Sequence, residues 1–245
     1  MNIETVFLPR DLRQHHLDDR CVVVFDVLRA TTSIATALFA GAAEVRVFDS
    51  IDAARAAARE SPQLPHLLCG ETNCLPPPGF DLGNSPGAFT RALCAGRTIL
   101  LATTNGTRAL VGARAARAMY AAALVNLSAT AAAVIRTGHH VTILCAGTDG
   151  EFAMEDALGA GAVIEAIRQR RADIRLADDA SQAATDLWET ARQRGIYETF
   201  LSCRGGMNVL RAGLAEDLQF AARIDSCPIA ARGDSSLVIR AEQTA

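Results

Sequence analysis

Residues 21–33 read CVVVFDVLRATTS and pass from an apolar run to a carboxylate, a guanidinium and three hydroxyls. The run from Val22 to Phe25 lacks the alternation of a half-exposed strand, which is typical of a strand buried on both faces. The hydroxyl residues that follow are typical of the start of a helix. The stretch therefore predicts a central strand that ends in polar groups and leads into a helix.

The same pattern recurs along the chain, because short apolar runs alternate with Ala-rich segments of helical period. The predicted strands are CVVVF (21–25), EVRVF (44–48), HLLC (66–69), TILLA (98–102), MYAAAL (119–124), HVTILCA (140–146) and SLVIRA (236–241). This alternation predicts a three-layer α/β/α fold with a mainly parallel sheet. We expect residues 1–245 to form a single domain, with a more helical portion from about residue 173.

Composition limits the classes of partner. The chain has 245 residues, of which 50% are hydrophobic and 21% charged, and this composition is typical of a globular protein. A net charge of -3 does not favour nucleic acid or anionic lipid, so an anionic ligand needs a few placed cations. We find no apolar signal region and no membrane-length apolar run, and we expect a cytoplasmic protein without membrane contact. His15 and His16 are expected to be exposed.

Polar residues collect directly after the predicted strands, where parallel α/β sheets bind their ligands. Hydroxyl and glycine residues there suit an anion, two arginines can neutralise it, and carboxylates can hold a metal. These residues are Asp26, Arg29, Thr31, Thr32, Glu71, Thr104, Asn105, Gly106, Thr107, Arg108, Glu155 and Asp156. Hard oxygen ligands with little histidine favour Mg²⁺ over zinc.

Each of these residues also has a structural interpretation. The threonines could be helix caps, which is compatible with anion binding at the same helix start. Asp26 could form a salt bridge with Arg29, or it could be a metal ligand or a nucleophile. Glu155 and Asp156 could mark a solvated helix start. Asp81 could form a turn, and Asp217 is expected on the surface of a helix.

One long segment interrupts the alternation of strands and helices. Residues 69–86 read CGETNCLPPPGFDLGNSP, and their prolines, glycines and asparagines exclude a regular helix or strand. Irregular segments of this length inside a compact domain are usually functional or disordered. The apolar and acidic residues within this segment favour an ordered loop at a site.

These motifs together resemble one known family, the 2-phosphosulfolactate phosphatases. The matching stretches, in order, are FDVLRATTS, GE, GFDLGNSP, TTNGTRAL, CAGTDGEFAMEDALGAG and the late GL…D…A…IDSCPIA. The resemblance runs from about residue 3 to residue 240. It implies a phosphatase-type domain that hydrolyses 2-phospho-3-sulfolactate with Mg²⁺ for coenzyme M biosynthesis, and it implies a homodimer.

The resemblance also implies functional positions in this chain. They are Asp26, Arg29, Thr31, Glu71, Asp81, Asn84, Asn105, Arg108, Glu155 and Asp156. Our hypothesis assigns Mg²⁺ to carboxylates among Asp26, Glu71, Asp81, Glu155 and Asp156. Arg29 and Arg108 would stabilise charge on the phosphoryl group.

One position departs from the family pattern. Family members usually continue the GE pair with arginine, whereas Thr72 follows Glu71 here. The absence of arginine removes a bidentate anion contact. Either another cation such as Arg204 replaces it, or the substrate is a different small phospho-acid. A non-catalytic anion-binding protein is the alternative from another class.

Overall fold

The computed structural model describes residues 1–12 and 17–242, so His15 and His16 lie outside the described residues. The strands in these ranges are β1 (Asn2–Val6), β2 (Arg20–Phe25), β3 (Glu44–Phe48), β4 (His66–Gly70), β5 (Thr98–Ala102), β6 (Ala118–Ala122), β7 (His140–Cys145), β8 (Arg175–Leu176), β9 (Ala230–Gly233) and β10 (Val238–Glu242). They form one sheet in the order β4-β5-β3-β10-β9-β6-β2-β7-β1-β8. This sheet contains every strand that the apolar runs predict.

Helices connect most of these strands. Within the described ranges they are α1 (Ala30–Phe39), α2 (Ile51–Glu60), α3 (Arg91–Cys94), α4 (Gly106–Gly112), α5 (Leu127–Thr137), α6 (Met154–Arg168), α7 (Asp179–Arg194), α8 (Ile196–Ser202), α9 (Arg204–Arg211) and α10 (Ala215–Ala221). The α/β class is therefore confirmed, and four successive helices follow residue 173. The single-domain arrangement stays a prediction.

Both faces of β2 are buried, as its uninterrupted apolar run predicts. Val23 and Phe25 pack in a core that includes side chains of α5, α6 and α7. Val22 and Val24 face a second core, which includes Ile34 of α1. Burial on both faces explains why β2 carries no alternating polar residues.

The mainly parallel sheet is confirmed only in part, because the sheet is mixed. Strands β4, β5 and β3 form one parallel group, and β6, β2, β7, β1 and β8 form the other. Between them lies the antiparallel hairpin of β9 and β10, which pairs with β6 on one side and β3 on the other. The apolar pattern does not specify which strands pair, so this insertion was not predictable from it.

The carboxyl ends of the two parallel groups meet at a common site, which is compatible with the twist of a sheet. Three antiparallel pairings in succession, β3–β10, β10–β9 and β9–β6, separate the two parallel groups. In a flat sheet, the carboxyl ends of the two groups would therefore lie at opposite edges. Adjacent strands rotate by roughly 20–25°, so the five steps from β5 to β2 add to roughly 100–125°. The ends do meet, because a Cβ atom built on Gly106, after β5, would lie 2.5 Å from Oδ2 of Asp26, after β2.

Among the described residues, no helix has the length and apolar character that a membrane span requires.

Candidate active site

A cavity of about 510 Å³ lies where β2, β4, β5 and β7 end, and we call it the carboxyl-end cavity. Six residues that the sequence analysis selects line it: Asp26, Arg29, Glu71, Asn84, Thr104 and Asn105. They come from β2, from the segment after β4 and from the turn after β5. The structure therefore brings together residues that are up to 79 positions apart in the chain.

Asp26 is the most deeply placed acid of the lining, with 7% of its surface exposed. Its Oδ1 accepts a hydrogen bond from the Ala30 N–H at 3.1 Å, which holds the carboxylate at the start of α1. Burial raises the pKa of Asp26 to about 7, and the carboxylates of Glu71 and Glu155 add to this rise. Among the described residues it has no ion-pair partner, so its charge is poorly compensated.

Two more buried acids lie beside Asp26, at the start of α6. Asp156 accepts hydrogen bonds from the N–H groups of Val27 and Gly147 at 2.9 and 3.0 Å, and so ties the end of β2 to the end of β7. Glu155 is 1% exposed, and its Oε2 has no hydrogen-bond partner in the described structure. Burial raises the pKa of both side chains. A solvated helix start is therefore the wrong interpretation.

Glu71 organises the turns around the cavity. Its Oε1 accepts a hydrogen bond from the Thr104 N–H at 2.7 Å, and its Oε2 accepts one from the Cys74 N–H at 2.9 Å. One carboxylate thus holds the turn after β5 and the turn after β4 in fixed positions. It also adds a third negative charge beside Asp26 and Glu155.

Arg29 is 3% exposed, and its charge is already paired. Its Nη1 lies 2.6 Å from Oδ2 of Asp217, and its Nη2 donates to the Cys74 carbonyl at 2.7 Å. Ser85 donates to the same oxygen of Asp217 at 2.9 Å. The expected surface position of Asp217 is therefore wrong, and the described structure contains no salt bridge between Arg29 and Asp26.

Two glycines allow backbone to approach the buried acids. A Cβ atom on Gly106 would lie 2.5 Å from Oδ2 of Asp26, and one on Gly205 would overlap Oε1 of Glu155. Any side chain at either position would displace a carboxylate. Glycine is thus needed at position 106 because the backbone there lies close to Asp26. Gly205 allows the start of α9 to pack against Glu155.

The remaining predicted residues lie outside the cavity lining. Thr31 and Thr32 are buried and donate to the carbonyls of Asp26 and Val27 at 2.8 and 2.7 Å. Thr107 closes its turn by donating to the Thr103 carbonyl at 2.8 Å. The capping interpretation is wrong for these three threonines, because the N-cap residues are Arg29 and Asn105 and neither helix start has a side-chain cap. A substrate role for the three threonines stays a prediction.

Three charged residues of the predicted site also lie outside the lining. Arg108 is exposed on α4. Arg204 is exposed at the start of α9, with its Nη2 3.6 Å from Oδ2 of Asp149. Asp81 is exposed and accepts a hydrogen bond from the Leu68 N–H at 2.8 Å, which supports the edge of β4. The proposed catalytic and metal roles of these three residues stay predictions.

The structure adds lining residues that the sequence analysis does not select. Arg211 and Asn208 of α9 line the cavity, and Arg211 donates to Oδ1 of Asn208 at 3.2 Å. Thr72, by comparison, is exposed and is not a lining residue. Arg211 therefore supplies a cation to the cavity from a distant part of the chain, where no local motif marks it.

The donor set of the cavity suits a hard cation. Asp26, Glu71 and Asn84 line the cavity, and Glu155 lies outside the lining but, like Glu71, close enough to raise the pKa of Asp26. Oδ1 of the buried Asn84 has no hydrogen-bond partner in the described ranges. However, no three acidic, histidine or cysteine residues in those ranges form a ready metal-binding group. This arrangement fits Mg²⁺, which is commonly held by one or two carboxylates, water and substrate phosphate.

Comparison with known proteins agrees with this site. The family model described as 2-phosphosulpholactate phosphatase matches residues 6–233. A relative from Carboxydothermus hydrogenoformans is 35% identical over 95% of this chain and 93% of its own length. Relatives from Synechocystis sp. and Synechococcus sp. are 37% and 41% identical over 84% and 77% of this chain, and over 85% and 78% of their own lengths. All three are named "Probable 2-phosphosulfolactate phosphatase". The chain belongs to the 2-phosphosulpholactate phosphatase family and is a phosphoric monoester hydrolase.

Proposed function

We propose that this phosphatase hydrolyses 2-phospho-3-sulfolactate to 3-sulfolactate and phosphate, with Mg²⁺ bound in the carboxyl-end cavity. The observation that carries the proposal is the charge balance of this cavity. The buried acids Asp26, Glu155 and Asp156 have raised pKa values, and the nearest buried guanidinium, Arg29, is paired with Asp217. A bound cation would compensate this excess negative charge.

The residues that would hold Mg²⁺ are Asp26 and Glu155, with Oδ1 of Asn84 as a neutral oxygen donor. Both carboxylate oxygens of Glu71 already accept backbone N–H groups, so Glu71 would position the turns around the ion. Bound there, the ion would neutralise phosphoryl oxygens and lower the pKa of water. Asp156 has both carboxylate oxygens engaged by backbone N–H groups. We therefore assign Asp156 to positioning the ends of β2 and β7 around Asp26.

The two arginines of the lining would bind the anionic substrate. Arg29 is held rigidly by Asp217, Ser85 and the Cys74 carbonyl, so its guanidinium can face the phosphoryl group without reorganisation. Arg211 is exposed on α9, in a different part of the lining. We assign it to the second acidic group of the substrate, since a guanidinium binds planar and tetrahedral oxyanions well.

Asp26 is suited to move a proton during hydrolysis. A carboxyl group with a pKa of about 7 exchanges protons readily at neutral pH. In the overall reaction, water adds its oxygen to phosphorus, the ester P–O bond breaks, and the alcohol oxygen of sulfolactate gains a proton. Asp26 can take part in this transfer, or it can serve as a nucleophile or as a metal ligand.

Three further properties expected from the sequence analysis accompany this proposal. They are a homodimer, a cytoplasmic location and a role in coenzyme M biosynthesis. Each stays a prediction.

Phosphate release from a panel of small phospho-acids tests the proposed substrate. The purified protein with Mg²⁺ should release phosphate from 2-phospho-3-sulfolactate with a higher kcat/KM than from 2-phospholactate, which lacks the sulfonate. Faster hydrolysis of 2-phospholactate would overturn the sulfonate specificity. Phosphate binding without release from any ester would support the non-catalytic alternative.

A further inference from the structure

A second cavity, of about 470 Å³, lies at the opposite end of the sheet. Its lining includes Arg117, which precedes β6, and His139, which precedes β7. We call it the amino-end cavity, because both residues lie at the amino ends of their strands. A five-residue strand spans roughly 17 Å, so β6 separates this cavity from the carboxyl-end cavity.

Positive charge dominates the amino-end cavity. Three arginines line it, Arg117, Arg136 and Arg232, and they come from three separate elements of the fold. Within the described residues, the lining contains one carboxylate, that of Glu242. Guanidinium groups remain charged at every physiological pH, and all three are exposed, so an anion in solution can reach them.

Glu242 neutralises only part of this charge. Its carboxylate accepts hydrogen bonds from the Tyr120 hydroxyl and from Nη2 of Arg136, both at 2.7 Å. Nη1 of Arg232 lies 3.8 Å from Oε2 of Glu242, which is too long for a hydrogen bond. Burial alone would raise the pKa of Glu242, but the bonds from Tyr120 and Arg136 lower it overall, so the side chain is ionised at neutral pH.

Two guanidinium groups therefore keep their donors for a ligand. Arg117 forms no ion pair with any residue that the structure describes, and Arg232 contacts Glu242 only at long range. Tyr120 places a buried aromatic ring and a hydroxyl at the floor of the cavity. The volume of the cavity suits a small molecule, and the net charge of the whole chain, -3, argues against a polyanion.

We propose that the amino-end cavity is a second oxyanion site, which binds a small molecule with at least two negative charges through Arg117, Arg232 and Arg136. Phosphate, sulfate or a small phosphorylated or sulfonated acid has this chemistry. Arginine suits such ligands because its planar fork of donors matches two oxygens of one oxyanion. Glu242 occupies part of the site and competes electrostatically with the ligand.

Calorimetric titration with inorganic phosphate tests this site at constant ionic strength. The wild-type chain should bind two phosphates, one in each cavity, and the double variant Arg117→Ala/Arg232→Ala should bind one. Removal of either guanidinium group alone should weaken phosphate binding at the amino-end cavity by about tenfold. Arg114→Ala removes an exposed arginine outside the cavity and serves as the matched control.

Two further measurements separate this site from the catalytic one. Glu242→Gln should tighten phosphate binding at the amino-end cavity, because it removes the competing charge and keeps the side-chain size. Competitive inhibition of turnover by phosphate should be equal in wild type and the double variant. The proposal fails if the double variant binds phosphate as wild type does, or if Arg114→Ala weakens binding equally. Neither result depends on the identity of the phosphatase substrate.

Discussion

The two ends of one sheet carry opposite charge imbalances. At the carboxyl ends, Asp26, Glu71, Glu155 and Asp156 cluster, while Arg29 is paired with Asp217. At the amino ends, three arginines and one carboxylate, that of Glu242, form the charged part of the described lining. The scaffold is the same, but acidic side chains predominate at the first end and basic ones at the second.

The unpaired buried acids at the carboxyl ends are unfavourable for the folded state. Buried charges are normally paired, and unpaired ones shift their pKa values instead. The raised pKa of Asp26 marks such a cost at the carboxyl ends. At the amino ends the three arginines are exposed to solvent, so they attract an anion without such a cost.

The largest effect is expected from Asp26→Asn. The variant keeps the side-chain size but removes the charge and the proton-transfer group, so kcat/KM should fall by about a hundredfold to ten-thousandfold. Phosphate release with Mg²⁺ measures this decrease. Asp19→Asn changes an exposed aspartate and should keep full turnover. Near-normal activity of Asp26→Asn would remove Asp26 from every proposed role.

Asp217→Asn should be the most destabilising of these substitutions. It leaves the buried guanidinium of Arg29 without its partner, and breaking such a pair costs about 3–5 kcal/mol of unfolding free energy. Urea unfolding measures this change. Asp173→Asn breaks the exposed pair with Arg171 and should change stability little. Equal losses of unfolding free energy in the two variants would contradict a larger stabilising role for the buried Arg29–Asp217 pair.

Arg211→Ala should raise KM for 2-phospho-3-sulfolactate by about tenfold, because the variant cannot form one charge-assisted hydrogen bond to the substrate. The kcat value should change less, since Arg211 is assigned to the second acidic group and not to the phosphoryl group. Steady-state kinetics of Arg108→Ala provide the comparison, because Arg108 lies outside the lining. A larger decrease in kcat/KM for Arg108→Ala would favour the role predicted from sequence.

The smallest effect concerns pH. In the metal-free chain, the pKa of Asp26 rises from 3.8 to about 7 on folding. Between these values the folded state keeps a proton that the unfolded state has released, so stability falls as pH rises through this window. Urea unfolding in chelator should show a steeper fall in wild type than in Asp26→Asn. Identical slopes would contradict the raised pKa.

The elements of the fold could be predicted where a short stretch of sequence specifies them. Continuous apolar runs predict the central strands, and Gly41, Gly96 and Gly138 fall near predicted helix ends, where they adopt positive φ angles. Strand β1, NIETV, has only two apolar residues, which are not adjacent, and gives no such run. The insertion of β9 and β10 depends on pairing across more than 180 residues, which periodicity does not encode.

Site residues could be predicted where polar side chains directly follow a predicted strand. Asp26, Glu71, Thr104 and Asn105 all come from such positions and line the cavity. Arg211 and Asp217 come from helices late in the chain, where charged residues are usually on the surface. Only tertiary packing places Arg211 beside the cavity and buries Asp217 against Arg29.

Calorimetric titration of Mg²⁺, with phosphate release followed on the same samples, tests the central claim most directly. Wild-type protein should bind Mg²⁺ at one site per chain, and Asp26→Asn should bind it at least about tenfold more weakly. Phosphate release from 2-phospho-3-sulfolactate should stop in chelator and return when Mg²⁺ is restored. Full turnover in chelator, or equal Mg²⁺ binding by the two proteins, would contradict a cation-requiring site at the carboxyl ends of the sheet.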